Sequence, residues 1–149
     1  MTGNPHPMSG FDEPVRRWQD IPGWFQWRSA QQEAVAQFGD GSRFVEVGCY
    51  LGRSVCSLAE EVRASGRAIV IIGVDTARGS GPEGRQDTNA HGPAVQHGDG
   101  TFAGLLHRNV IACGFADSVQ LLISDSIAAA QLFVDESFAW VHIDARHDY

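Results

Sequence analysis

Carboxylates occur where three apolar runs of the sequence end, and each could bind a small polar ligand. Glu46 precedes the glycines Gly48 and Gly52, Asp75 closes a run of Ile and Val, and Asp144 closes the last apolar run. The glycines permit a sharp turn and a close approach of a ligand to the main chain. A strand, a glycine turn and a helix start are typical of sheets that hold a nucleotide-like ligand. The spacing lacks the third glycine of the dinucleotide fingerprint, and a turn shaped only by packing is the alternative.

Two acids could recognise the sugar and the base of such a ligand. Asp75, at the end of its strand, could accept hydrogen bonds from both ribose hydroxyls. Asp125 could accept a bond from an adenine amino group while Ser126 offers its backbone N–H. The alternatives are a strand-end Asp75 that faces water and an Asp125 that only caps the following helix.

The end of the sequence offers candidates for the chemistry itself. Asp144 could hold a metal, orient a substrate hydroxyl or act as a base, and His147 could take the proton instead. A turn whose polar residues face water is the alternative. His142 alternates with Phe138 and Trp140, which favours a packed, hydrogen-bonded core histidine.

The elements that position these residues alternate between strands and helices. Apolar runs predict strands over residues 44–47, 68–75, 119–123 and 138–143. Helical spacing predicts helices over residues 52–64 and 102–113. Two further helices are predicted, one with an apolar face of Trp27, Ala30, Ala34 and Phe38, and one with Ala129, Leu132 and Phe133. Strand, helix and strand form a right-handed crossover, so we predict an α/β fold with a parallel sheet.

Three segments complete the predicted organisation. Residues 1–20 are rich in proline and predict a flexible N-terminal arm, which leaves residues 21–149 as one domain. Residues 76–100 predict a long functional or mobile loop. Its histidines, His91 and His97, have no ligand spacing, although the loop could close over a substrate.

Composition excludes several classes of partner. The net charge is −7 and there is no basic run, which argues against nucleic acid. No apolar run approaches the ~20 residues needed to span a membrane. The three cysteines form no CxxC pair and predict a reduced, cytoplasmic setting. Cys49 lies in the glycine turn without a nearby base, so we expect a small residue beside the ligand.

The last predicted strand leaves an open edge. A buried parallel strand at the end of a chain invites pairing with another strand. We therefore expect a fragment of a larger sheet, or completion by a partner or by a second copy along the fourth strand.

The motifs together resemble those of class I S-adenosylmethionine-dependent methyltransferases, in particular a small-molecule O-methyltransferase-like subgroup. The matching segments, which span roughly residues 21–149, are Gly23-Trp24-Phe25, Glu46-Val47-Gly48-Cys49-Tyr50-Leu51-Gly52-Arg53-Ser54, Gly73-Val74-Asp75-Thr76, Ser124-Asp125-Ser126 and His142-Ile143-Asp144-Ala145-Arg146-His147-Asp148-Tyr149. The resemblance implies a Rossmann-like three-layer sandwich whose partial parallel sheet has the order 3-2-1-4, with helices on both faces.

The resemblance also implies roles for residues. Glu46, Gly48 and Gly52 would surround the methionine part of S-adenosylmethionine, Asp75 the ribose, and Asp125 with Ser126 the adenine. The cofactor site would be completed by Cys49, Tyr50, Ser54 and Thr76. Asp144 would lie beside the transferred methyl group and, in metal-dependent relatives, bind an ion such as Mg²⁺. Cys49 and Ala77 depart from the usual residues without removing a ligand group, whereas the absent second half removes much of the substrate wall.

Three functions follow as hypotheses. The first is methyl transfer to a hydroxyl of a small molecule or sugar. The second is a catalytically incomplete cofactor-binding or interaction module. The third and weakest is an NAD-dependent oxidoreductase, against which the glycine spacing argues.

Overall fold

A four-stranded parallel sheet forms the centre of the chain. The computed structural model describes residues 10–79 and 91–145. Its strands are β1 (Arg43–Val47), β2 (Val70–Asp75), β3 (Val119–Ile123) and β4 (Trp140–Ile143). They lie side by side in the order β3-β2-β1-β4, with Glu46 opposite Gly73 on one side and His142 on the other. The predicted parallel α/β sheet and its 3-2-1-4 order are confirmed.

The described helices lie on both faces of this sheet. They are α1 (Arg28–Gln37), α2 (Arg53–Ser65), α3 (Gly92–His97), α4 (Ala103–Ala112) and α5 (Ser126–Ala130). The larger core joins residues of α1, α2 and α4 to one sheet face, which includes Phe44 and Ile71. The smaller core packs Ala129 of α5 against Val45 and Ile72 on the opposite face. Alternate β1 side chains thus enter different cores, as the pleat requires.

The first helix is rotated relative to its prediction. Ala34 is buried as expected, but Ala30 is exposed and Gln31 is fully buried. The Gln31 amide donates to the backbone oxygen of Ser54 at 3.0 Å and to its Oγ at 3.1 Å. Those bonds satisfy the NH₂ of a side chain that apolar periodicity assigns to the surface, whereas its Oε1 has no hydrogen-bond partner among the described residues.

The predicted N-terminal arm is packed where the structure describes it. A short 3₁₀ helix spans Trp18–Asp20, and the Trp18 side chain is buried. Its Nε1 donates to Glu60 Oε2 of α2 at 2.8 Å. Trp18 is therefore anchored to α2 within the segment predicted to be a flexible arm, and the arm itself stays a prediction. Residues 1–9 lie outside the described part.

The predicted loop over residues 76–100 contains α3. Pro93 occupies the first turn of this helix, a position where its missing N–H costs nothing. Ala94 is fully buried, which fixes the helix against the core. Residues 80–90 of the predicted loop are outside the described ranges.

The sheet face beside β4 differs most from the prediction. Helix α5 spans only five residues, and Leu132, which was predicted to lie on its apolar side, is 68% exposed. Val141 and Ile143 of β4 are 52% and 71% exposed. Within residues 10–79 and 91–145, no element covers this part of the sheet. No helix in those ranges is long and apolar enough to cross a membrane.

Candidate active site

A cleft of about 530 Å³ opens at the carboxyl ends of the strands. This is the edge at which open α/β sheets bind ligands, and the volume lies within the usual range for small-molecule sites. The predicted site residues that line it are Gly48, Cys49, Tyr50, Ser54, Asp75, Thr76, Ser126 and Asp144. The first turn, the end of β2 and the end of β4 therefore meet at one cavity.

The Asp75 carboxylate holds the glycine turn in place. Its Oδ2 accepts hydrogen bonds from the backbone N–H of Cys49 at 2.7 Å and of Tyr50 at 2.8 Å. Its Oδ1 accepts from the N–H of Ala77 at 2.8 Å. Two amides thus occupy Oδ2 and one occupies Oδ1, which leaves one lone pair on Oδ1 for a further donor. The acid was predicted to contact a ribose, and its contacts with these amides were not anticipated.

Two of those amides belong to residues in a conformation that side chains disfavour. Tyr50 has φ +49° and Ala77 has φ +56°, and both lie in the left-handed region. Such a backbone costs about 1–2 kcal/mol for a residue other than glycine. The bonds to Asp75 offset this cost, so the acid fixes the shape of both loops.

Gly48 makes room for the main chain of the β4 end. A Cβ on Gly48 would lie 2.1 Å from the Asp144 carbonyl oxygen and 2.8 Å from the Ala145 Cα, and Gly48 has φ +92°. Gly48 was predicted to let a ligand approach the main chain. The backbone of Asp144 and Ala145 instead occupies the space where a side chain would lie. Gly52 is the N-cap of α2 with φ +93°, and a Cβ on it would lie 3.1 Å from Leu106 Cδ1.

Gly73 also shapes the site, a role that was not predicted from the sequence. A Cβ there would lie 2.9 Å from Cys49 Sγ and 3.0 Å from Leu121 Cδ2. Cys49 is buried in this space, with its Sγ 3.7 Å from the Val74 oxygen. Burial raises the pKa of the Cys49 thiol well above its ordinary value, and the Glu46 and Asp75 charges raise it further. A thiolate nucleophile is therefore disfavoured at this position.

Glu46 is fully buried beneath the cleft. Its Oε2 accepts a hydrogen bond from Ser54 Oγ at 2.8 Å, and that hydroxyl also accepts from Trp27 Nε1 at 3.0 Å. Oε1 has no hydrogen-bond partner among the described residues. Burial raises the pKa of Glu46, an effect that neighbouring His142 and Ser54 oppose. The acid does not line the cleft and acts on it through Ser54, which does.

His142 is packed, as predicted, but its Nδ1 has no hydrogen bond within the described ranges. Its ring stacks on Trp140, with centroids 5.6 Å apart, and lies 4.7 Å from the Trp27 ring. Nδ1 is 3.7 Å from Glu46 Oε2, which is within ion-pair reach yet too far for a hydrogen bond.

Asp125 is an N-cap, one of its two predicted roles. Its Oδ1 accepts from the N–H of Ala128 at 2.9 Å. Asp125 is not among the residues that line the cleft, whereas its neighbour Ser126 is. The adenine contact predicted for Asp125 stays a prediction.

Asp144 lies in the cleft wall beside Gly48. Its backbone N–H continues the sheet by donating to the Val47 oxygen at 2.8 Å. The second predicted catalytic residue, His147, is outside the described residues. Across the described ranges, no three His, Cys, Asp or Glu side chains are grouped to hold a metal ion.

One wall of the cleft comes from aromatic residues that the sequence did not assign to the site. They are Trp24, Trp27, His91 and Phe102. His91 was predicted only as part of the long loop over residues 76–100, but its ring centroid lies 4.6 Å from that of Tyr50. A signal for Trp24 was present, since it follows a Pro-Gly turn and lies outside the predicted apolar face of the first helix.

Comparison with known proteins identifies the family. Residues 45–149 match a family described as a methyltransferase domain. Because this match covers more than half of the chain, the protein belongs to that family, within the class I S-adenosylmethionine-dependent methyltransferases. No curated protein matches the sequence significantly. The predicted family is thus confirmed, and it favours a sulfonium cofactor over a nicotinamide dinucleotide.

Two solved structures are similar to the chain. Cofactor-bound Rv0187 from MTB is 17% identical, with a TM-score of 0.53 over 84% of this chain and 47% of that chain. A cyclopropane-fatty-acyl-phospholipid synthase-like protein from Lactobacillus casei ATCC 334 is 18% identical, with a TM-score of 0.43 over 78% of this chain and 37% of that chain. The first likeness concerns the fold alone. The chain spans about half the length of the first structure and less of the second.

Proposed function

We propose that the chain binds S-adenosylmethionine and transfers its methyl group to a hydroxyl of a small molecule. The observation that carries this proposal is the position of the glycine turn. Asp75 fixes the turn on one side, and the β4 end with Asp144 contacts it on the other. One small molecule in the cleft can therefore reach the turn and both acids.

The residues present fit the cofactor. Asp75 Oδ1 retains one lone pair toward which a ribose hydroxyl can donate, and Ser126 lines the same cleft. Glu46 lies behind Ser54 of the cleft, and its carboxylate, when ionised, favours a cationic group such as the amino group of the methionine part. When bound, the cofactor supplies a methyl group that its sulfonium already activates.

This chain's own contribution to the reaction is placement and removal of a proton. Asp144 lies in the cleft wall, where its carboxylate can accept the proton of an acceptor hydroxyl. Holding the acceptor in line with the methyl group supplies much of the rate. The described acids do not fit a Mg²⁺ site, because no three of them are grouped. The proposal therefore includes no metal step.

A transfer assay tests the reaction class. The intact chain is incubated with S-adenosylmethionine labelled on the methyl group and with matched acceptors that carry a hydroxyl, an amine or a thiol. Label in the hydroxyl product supports the proposal. Transfer only to the amine or thiol would contradict the acceptor class, and release of labelled methanol alone would contradict transfer itself.

A second candidate function is a cofactor-binding module completed by another chain. The exposure of Val141 and Ile143 on the edge strand favours it, because two β-branched side chains there meet water. We propose that two copies pair along β4. Light scattering of the wild type and of Val141→Asp tests this, with Ile111→Asp, at an exposed position of α4, as the control. A dimer lost only in Val141→Asp is expected, and a monomeric wild type would contradict it.

The cellular setting is also a proposal. All three cysteines are free and buried, which suits a reducing compartment, and we place the protein in the cytoplasm.

A further inference from the structure

Helix α4 packs against the glycine turn, residues 48–52. A Cβ on Gly52 would lie 3.1 Å from Leu106 Cδ1 and 3.7 Å from Val110 Cγ2. Both of these α4 side chains are buried, and the missing side chain of Gly52 lets them lie close to the turn. One face of α4 therefore contacts the turn from behind the cleft.

A buried asparagine of α4 adds a polar contact with the same turn. Asn109 is 1% exposed, and its Nδ2 donates to the backbone oxygen of Leu51 at 2.9 Å. Within residues 10–79 and 91–145, no backbone N–H donates to that oxygen. The Leu51 carbonyl thus depends on a side chain that lies 58 positions away in the sequence.

The Asn109 amide is only half satisfied. Its Oδ1 has no hydrogen-bond partner among the described residues. A buried acceptor without a partner destabilises the folded state, whereas leucine has the same branched shape and no polar atom to satisfy. Packing of the core therefore gives little reason for an amide at this position, and the bond to Leu51 gives one.

The bond to Asn109 fixes the plane of one peptide unit at the start of α2. The Leu51 oxygen and the Gly52 N–H belong to the same planar unit. This N–H donates to the Cys49 oxygen at 2.9 Å, so the unit is held at both of its polar atoms. The next two residues, Arg53 and Ser54, begin α2 and line the cleft. The direction of their backbone follows from the orientation of this unit.

The same helix also holds the connection that follows β2. Phe102, the N-cap of α4, donates its backbone N–H to the Ala77 oxygen at 2.9 Å. Asp75 accepts from the N–H of Ala77 and from that of Tyr50, which immediately precedes Leu51. Each connection is therefore held twice, through N–H groups by Asp75 and through a carbonyl by α4.

We propose that Asn109 is a positioning residue that keeps the glycine turn in the shape that binds S-adenosylmethionine. This inference rests on the proposed function and adds a residue outside the cleft that controls affinity for the cofactor. Asn109 touches neither the cleft nor its contents, and it acts through the Leu51 carbonyl.

Amide hydrogen exchange measured by NMR on the full chain tests the inference without any ligand. Asn109→Leu keeps the branched shape but removes the donor, and Asn109→Ser, with a shorter side chain, removes it with less bulk. The control is Ser57→Ala, since Ser57 is also buried and its Oγ has no partner in the described ranges. Relative to the amide of Ile72 in the sheet, we expect the amides of Cys49 and Tyr50 to exchange at least about 10-fold faster in both Asn109 variants and unchanged in the control.

Calorimetry with S-adenosylhomocysteine on the same samples links the turn to the cofactor. Binding about 3- to 10-fold weaker in the Asn109 variants is expected, with Ser57→Ala equal to the wild type. Unchanged exchange of Cys49 and Tyr50, or wild-type affinity in the Asn109 variants, would overturn the inference while leaving methyl transfer intact. Faster exchange that includes Ile72 equally, or failure of both Asn109 variants to fold, would show only a structural role and would overturn it as well. Absence of binding to the folded wild type would instead refute the proposed function.

Discussion

The carboxylate of Asp75, the last residue of β2, and the backbone N–H of Cys49, in the turn after β1, are joined by a 2.7 Å hydrogen bond. The bond ties the end of β2 to the turn after β1. With the companion bonds to Tyr50 and Ala77, it makes the shape of the cleft depend on one acid. Stability and ligand binding should therefore change together when this acid is altered.

Replacement of Asp75 by asparagine should open the glycine turn. Because amide donors face both carboxylate oxygens, the asparagine NH₂ would meet an N–H wherever it points. We expect a loss of about 2 kcal/mol or more in the free energy of unfolding. Urea unfolding measures this, and Asp117→Asn, at an exposed position, should stay within about 0.5 kcal/mol of the wild type. Equal stability of the two variants would show that the amide contacts contribute little.

Gly48→Ala should destabilise the protein, whereas Gly104→Ala should not. A Cβ at Gly48 would collide with the Asp144 carbonyl oxygen, and Gly48 has a positive φ. We expect a cost of about 2 kcal/mol or more. Gly104 lies in α4 with no atom within 4 Å of an added Cβ, so alanine there should stabilise by about 0.5–1 kcal/mol. Thermal unfolding compares the two variants, and a tolerated Gly48→Ala would contradict the close approach of β1 and β4.

Glu46→Gln should change the pH dependence of stability. Burial raises the pKa of Glu46 above its ordinary value of 4.5, so above that pH the folded state binds more protons than the unfolded state. The contribution of Glu46 to the free energy of unfolding is fully present below pH 4.5, and it is lost as the pH rises through the raised pKa of the folded state. Each pKa unit of elevation corresponds to about 1.4 kcal/mol. Glutamine does not titrate. The stability of Glu46→Gln relative to that of the wild type should therefore rise as the pH increases from 4.5 to 8.

Unfolding midpoints measured across that pH range provide the check. The control is Glu33→Gln, which removes an exposed acid of α1 and should run parallel to the wild type. A difference between Glu46→Gln and the wild type that stays constant with pH would mean that Glu46 is not titrating abnormally.

Asp144→Asn should separate catalysis from cofactor binding. If the carboxylate takes the acceptor proton, kcat should fall by about 10²- to 10⁴-fold, because the amide cannot act as a base. Affinity for S-adenosylhomocysteine should change by less than about 3-fold, since asparagine keeps the shape and the backbone bond to Val47. Asp135→Asn, exposed in the connection before β4, is the control. An unchanged kcat in Asp144→Asn would show that another residue acts as the base.

The sheet could be predicted from the sequence because its signals are local. Continuous Ile and Val runs predict β2, and the predicted bounds of β3 match those observed. The predicted buried face of α1 was wrong because Gln31 is buried through its hydrogen bonds to Ser54, which lies 23 positions away in the sequence. Periodicity carries no information about such a tertiary partner.

The position of the cleft could be predicted from the sequence, whereas most contacts between the residues that form it could not. The turn, Asp75 and Asp144 meet as strand ends of a parallel sheet must. That Asp75 bonds to amides, that Gly48 faces the β4 backbone and that Gly73 makes space for Cys49 all depend on how the loops close over one another. The position of Trp24 escaped prediction for the same reason, because two hydrogen bonds to the start of α2, at Ile21 and Trp27, hold the segment that places Trp24 in the cleft.

Calorimetric titration of the full chain with S-adenosylhomocysteine tests the central claim most directly. The account predicts one site with micromolar affinity in the wild type, and binding at least about 10-fold weaker in Asp75→Asn while Asp117→Asn binds normally. No binding by a folded wild-type protein, or undiminished binding by Asp75→Asn, would contradict it.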